Sequence, residues 1–126
     1  MKKLVWIAHP YGGSVASLSR AKRWMLWAIN NFPDVVPVMN WILYCELLND
    51  SNPAHRELGL DADMAVAGRC EEIWLVGGRV SAGMTKESAE HPVVFDLTYL
   101  GEEPPAIGAD IKFEPWRRDE IKAAVG

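Results

Sequence analysis

"KLVWIAHPYGGS", residues 3–14, decides the fold. Its first seven residues form a nearly unbroken apolar run. A strand with one wet face alternates apolar and polar residues, whereas a run like this suits a strand covered on both faces, as in a parallel sheet. The run ends at two adjacent glycines. Residues 14–32, "SVASLSRAKRWMLWAINNF", then carry Leu18, Ala21, Met25, Ala28 and Phe32 at helical spacing. Ser14 suits the N-cap, and the Phe-Pro pair at 32–33 marks the end. Strand, glycine turn and helix open an alternating α/β pattern.

Working outward, the same design recurs at "EEIWLVGG" (71–78), a second buried strand with glycines behind it and a helix expected over 83–91. Between the two, "VVPVMNW" (35–41) reads as a strand near a sheet edge, because Pro37 cannot donate to a ladder. "ILYCELLND" (42–50) suits a short helix, and residues 56–70 a longer one with Leu60, Met64 and Ala67 on one face. "PVVFDLTYL" (92–100) reads as a further strand and "GEEPPAIGAD" as a loop. "IKF" (111–113) suits an edge strand, with a final helix from about Trp116. This alternation predicts one α/β domain over residues 1–126, a Rossmann-like or flavodoxin-like three-layer sandwich with a mostly parallel sheet. Ligands in such sheets bind beyond the carboxyl ends of the strands, so the loops at 9–14 and 77–84 are expected to face one crevice.

Bulk properties remove several function classes. At 126 residues the chain has the size of one domain. A net charge of −4 argues against a nucleic-acid polymer as partner, since neutralising a phosphate backbone needs clustered Lys and Arg. Arg20, Lys22 and Arg23 read as the solvated face of a helix. The apolar runs are too short to span a bilayer, and "MKKLVWIAHP" lacks a cleavage site, so neither a membrane nor a signal peptide is expected. Cys45 and Cys70 show no metal or redox spacing and read as buried thiols in a reducing cytoplasm. The three histidines, His9, His55 and His91, show no ligand spacing, and no metal is expected.

The two glycine loops carry the candidate chemistry. In "HPYGGS", glycine permits close backbone approach, and the helix start behind it favours an anion. Taken alone, the segment fits an ordinary tight turn equally well. In "GGRVSAGMTKE", small residues clear space, Ser81 offers a hydroxyl, and Gly83 and Met84 open a helix with free amides. Glu87 falls one turn in. On its own it reads best as a solvent-facing glutamate set against the helix dipole. Asp63, on the helix before the second buried strand, flanks the core stripe; alone it reads as a cap or surface charge.

Taken together, "HPYGG" after a strand, Asp63 before the second strand and "SAGMTKE" after it resemble the nucleoside 2-deoxyribosyltransferase-like superfamily. That superfamily includes the 2-deoxynucleoside 5-monophosphate N-hydrolases and small phage and bacterial relatives. The resemblance covers roughly residues 3–95 and is carried by the joint spacing of Asp63, Ser81, Gly83 and Glu87. It implies cleavage of the N-glycosidic bond of a nucleoside or nucleotide, with transfer to another base or to water. Glu87 would be the nucleophile, Asp63 would position or protonate, and Tyr11 would contact the sugar and the glutamate. His9, Gly12, Gly13, Trp41, Ser81, Gly83 and Met84 make up the expected substrate-binding set, with Trp41 or Tyr44 stacking on the base. The chemistry needs these types, because a carboxylate can capture the oxocarbenium-like centre while a second group assists departure of the base. No cofactor is implied. A homodimer or higher homo-oligomer is, with a neighbouring subunit completing the site, although nothing in "LTYLGEEPPAIGADIKFEP" matches the completing residue.

Two other classes fit the same residues. One is a non-catalytic module holding a nucleotide or nucleotide-derived ligand in the same crevice. The other is an assembly partner using a tryptophan-rich surface, since the chain has six tryptophans.

Overall fold

The computed structural model describes residues 1–116. Among them, β1 (Lys3–Ala8), β2 (Val35–Val38), β3 (Glu72–Leu75), β4 (Val94–Asp96) and β5 (Glu114–Pro115) form one sheet in the order β2-β1-β3-β4-β5. The first four strands run parallel and β5 antiparallel. With α1 (Val15–Asn31), α2 (Trp41–Leu47), α3 (Pro53–Ala67) and α4 (Ala82–Ser88), this is the expected single-domain three-layer α/β fold. No helix among the described residues is long and apolar enough to cross a membrane.

Both apolar runs become interior strands because both have neighbours on either side. β1 lies between β2 and β3, with Trp6 opposite Val38 and Ile73. Ser14 caps α1 as expected, its Oγ accepting the Ser17 N–H at 3.1 Å. The stripe of α1 that packs on the sheet differs from the expected one. Trp24 and Trp27 are buried with Leu18, Ala21 and Ala28, while Met25 and Phe32 are half-buried. Trp27, Phe32, Trp74 and Phe113 meet edge-on or tilted with centroids 5.0 to 6.4 Å apart. Such pairs add about 0.5–1.5 kcal/mol each beyond area burial. Five of the six tryptophans are therefore core residues, Trp6, Trp24, Trp27, Trp41 and Trp74. The expectation of a tryptophan-rich surface is overturned.

Several boundaries shift for local reasons. β2 stops at Val38, whose partner Trp6 closes the β1 ladder, so Trp41 opens α2 instead of ending a strand. β2 is an edge strand, as Pro37 requires. α3 begins at Pro53, three residues before the expected start. Asn52 caps it, Oδ1 accepting the N–H groups of Ala54 and His55, and proline suits the first helical position because its missing N–H would be unpaired there anyway. The run at 92–100 yields only three strand residues. The Asp96 carboxylate accepts the Thr98 N–H (2.9 Å) and hydroxyl (2.5 Å), bending the chain into a short 3-10 turn, Thr98–Leu100. "IKF" is not laddered; pairing falls on Glu114–Pro115, and the Trp116 N–H donates to the Val94 carbonyl. The expected final helix lies outside the described residues.

The sheet order reverses direction between β1 and β3, which both lead into glycine-bearing loops. This is the topological switch point where open α/β sheets hold ligands.

Candidate active site

A cleft of about 450 Å³ opens at that switch point, above the carboxyl ends of β1 and β3 and under α2 and α3. Glu87, Asp63 and Tyr11 all line it. So do His9, Gly12, Gly13, Trp41, Ser81 and Gly83. Nine of the ten expected site residues therefore meet around one cavity, although they come from four separate segments of the chain.

Met84 is the exception. Its side chain is 1% exposed, and its N–H is spent on the Ser81 Oγ at 3.3 Å, while its sulfur accepts the Ser81 N–H. The amide expected to face a ligand closes a helix cap instead. Ser81 consequently has a double position, capping α4 through Oγ and bordering the cleft. Trp41 also differs from its expected part as a free stacking platform. Its indole N–H donates to the Ile7 carbonyl at 3.0 Å, and its ring lies nearly parallel to that of His9 with centroids 6.5 Å apart. It ties the end of β1 to the start of α2. Tyr44, one turn on and more exposed, also lines the cleft.

Glu87 is held from below. The indole N–H of Trp6, a fully buried residue of β1, donates to its Oε2. Oε1 lies toward Gly83, where an added Cβ would stand 4.0 Å from it. Burial pushes the Glu87 carboxyl up to about 7, the charge of Asp63 adds to the rise, and the Trp6 hydrogen bond opposes it. Burial alone pushes Asp63 up to about 7, and its buried Oδ1 has no hydrogen-bond partner among the described residues. Cys45, half-buried in the same wall, feels both carboxylates after burial and Asp50, and its thiol is pushed up to about 12. It stays protonated at neutral pH, unsuited to nucleophilic attack.

Replacing Trp6 with phenylalanine removes the one donor to Glu87 among the described residues, which favours its ionised form. The Glu87 titration is expected to move further upward, read from the pH dependence of its side-chain carbon shifts by NMR. A downward move would show that Trp6 acts by burial alone.

Of the roof of the cleft the sequence reading found Asp63 but not the part that Arg56 and Leu60 play. Arg56, Leu60 and Asp63 share one face of α3, at i, i+4 and i+7, while Met64, expected in the core stripe, is 43% exposed. Anchoring the helical period on Asp63 instead of Met64 would have found them. His55 also lines the cleft. Its Nδ1 accepts the Asn49 N–H at 3.0 Å, which places the proton of a neutral ring on Nε2.

The β3–α4 loop depends on Gly77, whose φ of +97° is left-handed. A Cβ there would stand 2.6 Å from His9 Cδ2 and 2.7 Å from Pro10 Cδ. Gly77→Ala is expected to cost roughly 2 kcal/mol or more in urea unfolding, combining the conformational penalty with the displaced ring. A loss near zero would mean the loop refolds around it.

No group of three or more His, Cys, Asp or Glu side chains among the described residues is arranged to hold a metal ion. Compared with protein-family models, residues 3–92 match the one described as "Domain of unknown function (DUF7768)". No curated protein matches the chain.

Proposed function

The chain belongs to the DUF7768 family, and for it we propose cleavage of the N-glycosidic bond of a nucleoside or nucleotide, with Glu87 as nucleophile and Asp63 as acid. The observation that carries this reading is one cleft lined by two carboxyl groups that burial pushes up to about 7, with the charge of Asp63 adding to the rise at Glu87. Groups raised to about 7 are each partly protonated at neutral pH, so one can act as acid and the other as nucleophile. In the reactive form Glu87 is ionised, the state that the Trp6 N–H favours, and Asp63 carries the proton. Nucleophile and acid are thereby set apart by their surroundings.

In the first step Glu87 Oε1 bonds to the anomeric carbon as the bond from that carbon to the base nitrogen breaks. The electron pair leaves with the base, which takes the Asp63 proton. A glycosyl ester remains. In the second step Asp63, now ionised, takes a proton from water, whose oxygen attacks the same carbon and frees Glu87. An acceptor base in place of water gives transfer. Tyr11, Gly12, Gly13, Ser81 and Gly83 border the space a sugar would fill, and the cavity has the size of pockets that hold such small molecules. The free thiols Cys45 and Cys70 support a reducing compartment such as the cytoplasm.

Incubation with deoxynucleosides and their monophosphates, with and without a free acceptor base, tests the proposal by chromatography of released base. Release that depends on Glu87 supports it, and a new nucleoside identifies transfer. Binding by calorimetry with an unchanged ligand would replace it with the non-catalytic module. Sedimentation analysis tests the homo-oligomer that belongs to the same reading.

A further inference from the structure

We infer that Arg56 determines which base the cleft accepts, by donating to a carbonyl oxygen on the edge of the base remote from the glycosidic bond. The identity of the ligand rests on the nucleoside reading above; the donor character of this end of the cleft rests on the side chains themselves.

α3 sets the groups in a row. Arg56, Leu60 and Asp63 share one helical face and line the cleft together. At 1.5 Å rise per residue, Arg56 stands roughly 10 Å along the axis from Asp63. In the proposed reaction Asp63 meets the base nitrogen and the sugar lies against the glycine loops. The base then runs along this face past Leu60, and the long arginine side chain covers the rest of the span to its remote edge.

That end of the cleft offers open donors. The exposed cations of α1 are spent on glutamates, Arg20 on Glu102, Lys22 on Glu46 and Arg23 on Glu103. Arg56 is exposed and has no hydrogen bond or ion pair with a described residue, and it is the one Arg or Lys among the described residues that line the cleft. In His55 beside it the Asn49 N–H occupies Nδ1, so the nitrogen the ring has left to offer is the Nε2–H donor.

A guanidinium has five donors and no acceptor. A carbonyl oxygen complements it, whereas an exocyclic amino group sets donors against donors. A phosphate would complement it too, but the lining carries three carboxyl groups, Asp50, Asp63 and Glu87, against this one guanidinium. Tyr11 and Cys45, raised first by burial, also feel the charge of Asp50, so its field reaches into the cleft. An acidic lining disfavours a dianion and leaves the uncharged carbonyl as the partner.

The test uses the full chain with Arg56→Met and Arg56→Lys, and two substrate pairs that exchange a carbonyl for an amino group on that edge, deoxyinosine with deoxyadenosine and deoxyuridine with deoxycytidine. The wild type is expected to favour the carbonyl member by at least about tenfold in kcat/KM. Arg56→Met is expected to bring the ratio within about threefold, chiefly by raising KM for the carbonyl member, and Lys to keep part of it. No such preference in the wild type, or equal losses on both members, overturns the inference. Deoxyinosine and its 5-monophosphate separate the sources, since a loss in Arg56→Met confined to the monophosphate makes Arg56 a phosphate ligand and overturns it. Without ligand Arg56→Met is expected to melt with the wild type, because it deletes no contact with a described residue. A marked fall makes the arginine structural and overturns the inference. If the wild type turns over no nucleoside, the catalytic reading fails and calorimetry of the four nucleosides decides Arg56. Tighter binding of the carbonyl members that Arg56→Met abolishes then sustains the inference, equal affinities overturn it alone, and no binding by wild type overturns both.

Discussion

Glu87→Gln is expected to reduce base release by at least about a thousandfold, because it removes the atom that attacks the anomeric carbon while leaving the cleft in place. Glutamine is nearly isosteric, and its amide oxygen can still accept the Trp6 indole N–H that Oε2 accepts in the wild type. Loss of rate therefore separates from loss of structure. The covalent step has its own signature. A nucleoside with fluorine at the 2-position of its sugar slows breakdown of the ester more than its formation, so intact-protein mass spectrometry is expected to show a glycosyl adduct. Peptide mapping places it on Glu87 and finds none in Glu87→Gln. Unchanged turnover in the variant, or an adduct on another residue, sinks the assignment.

Asp63→Asn is expected to lower turnover by about a hundredfold to ten-thousandfold, the usual reach of a positioned proton donor. The loss should shrink for a 7-methylated purine nucleoside, whose base departs neutral and needs no proton. Removing the Asp63 charge also removes one of the causes that lift Glu87, so the acid limb of the rate profile is expected to move to lower pH.

The same pair makes a stability prediction with a definite sign. Asp63 rises from 3.8 to about 7 and Glu87 from 4.5 to about 7 on folding. Between those values the folded chain holds protons that the unfolded chain has released, so stability falls as pH rises from about 4 through about 7 and then levels. One pKa unit corresponds to about 1.4 kcal/mol, and the solvent reaching Asp63 discounts its share. A loss on the order of 3 kcal/mol from Glu87, with a smaller addition from Asp63, is the expected scale. Urea unfolding at pH 5 and pH 8 measures it. The Asp63→Asn, Glu87→Gln double variant should flatten the profile and exceed wild-type stability at pH 8. An unchanged slope would show that the two carboxyls are not buried as a pair.

How much of this was legible beforehand depended on the range of the interaction. The buried strands at 3–8 and 72–75 announced themselves as apolar runs, and the Ser14 cap, the edge character of β2 and the glycine loops follow from local chemistry. The fold class follows from these with no distant contact. Boundaries were missed where a short-range signal competed with periodicity, as with Asn52-Pro53 at the start of α3 and the Asp96 turn after β4. The α1 stripe was misread because Trp27 packs against Trp74 and Phe32 with Trp24 edge-on to Trp27, and helical spacing cannot say which of two adjacent apolar residues finds an aromatic partner.

By itself, the sequence determined which segments are strands and helices and that two glycine loops end on the same side of a parallel sheet, because hydrophobic period and turn chemistry act within a few residues. Only the tertiary structure decided the condition of the side chains at those loops. The Trp6 N–H that holds Glu87 comes from β1, the wall that leaves His9 unpaired comes from Gly77 and Trp41, and the roof that desolvates Asp63 comes from folding α3 over the sheet. Burial and electrostatic coupling are properties of distance in space, and the carboxyl groups of Asp63 and Glu87 acquire their raised proton affinities only when the sheet order β2-β1-β3 brings their helices to one crevice.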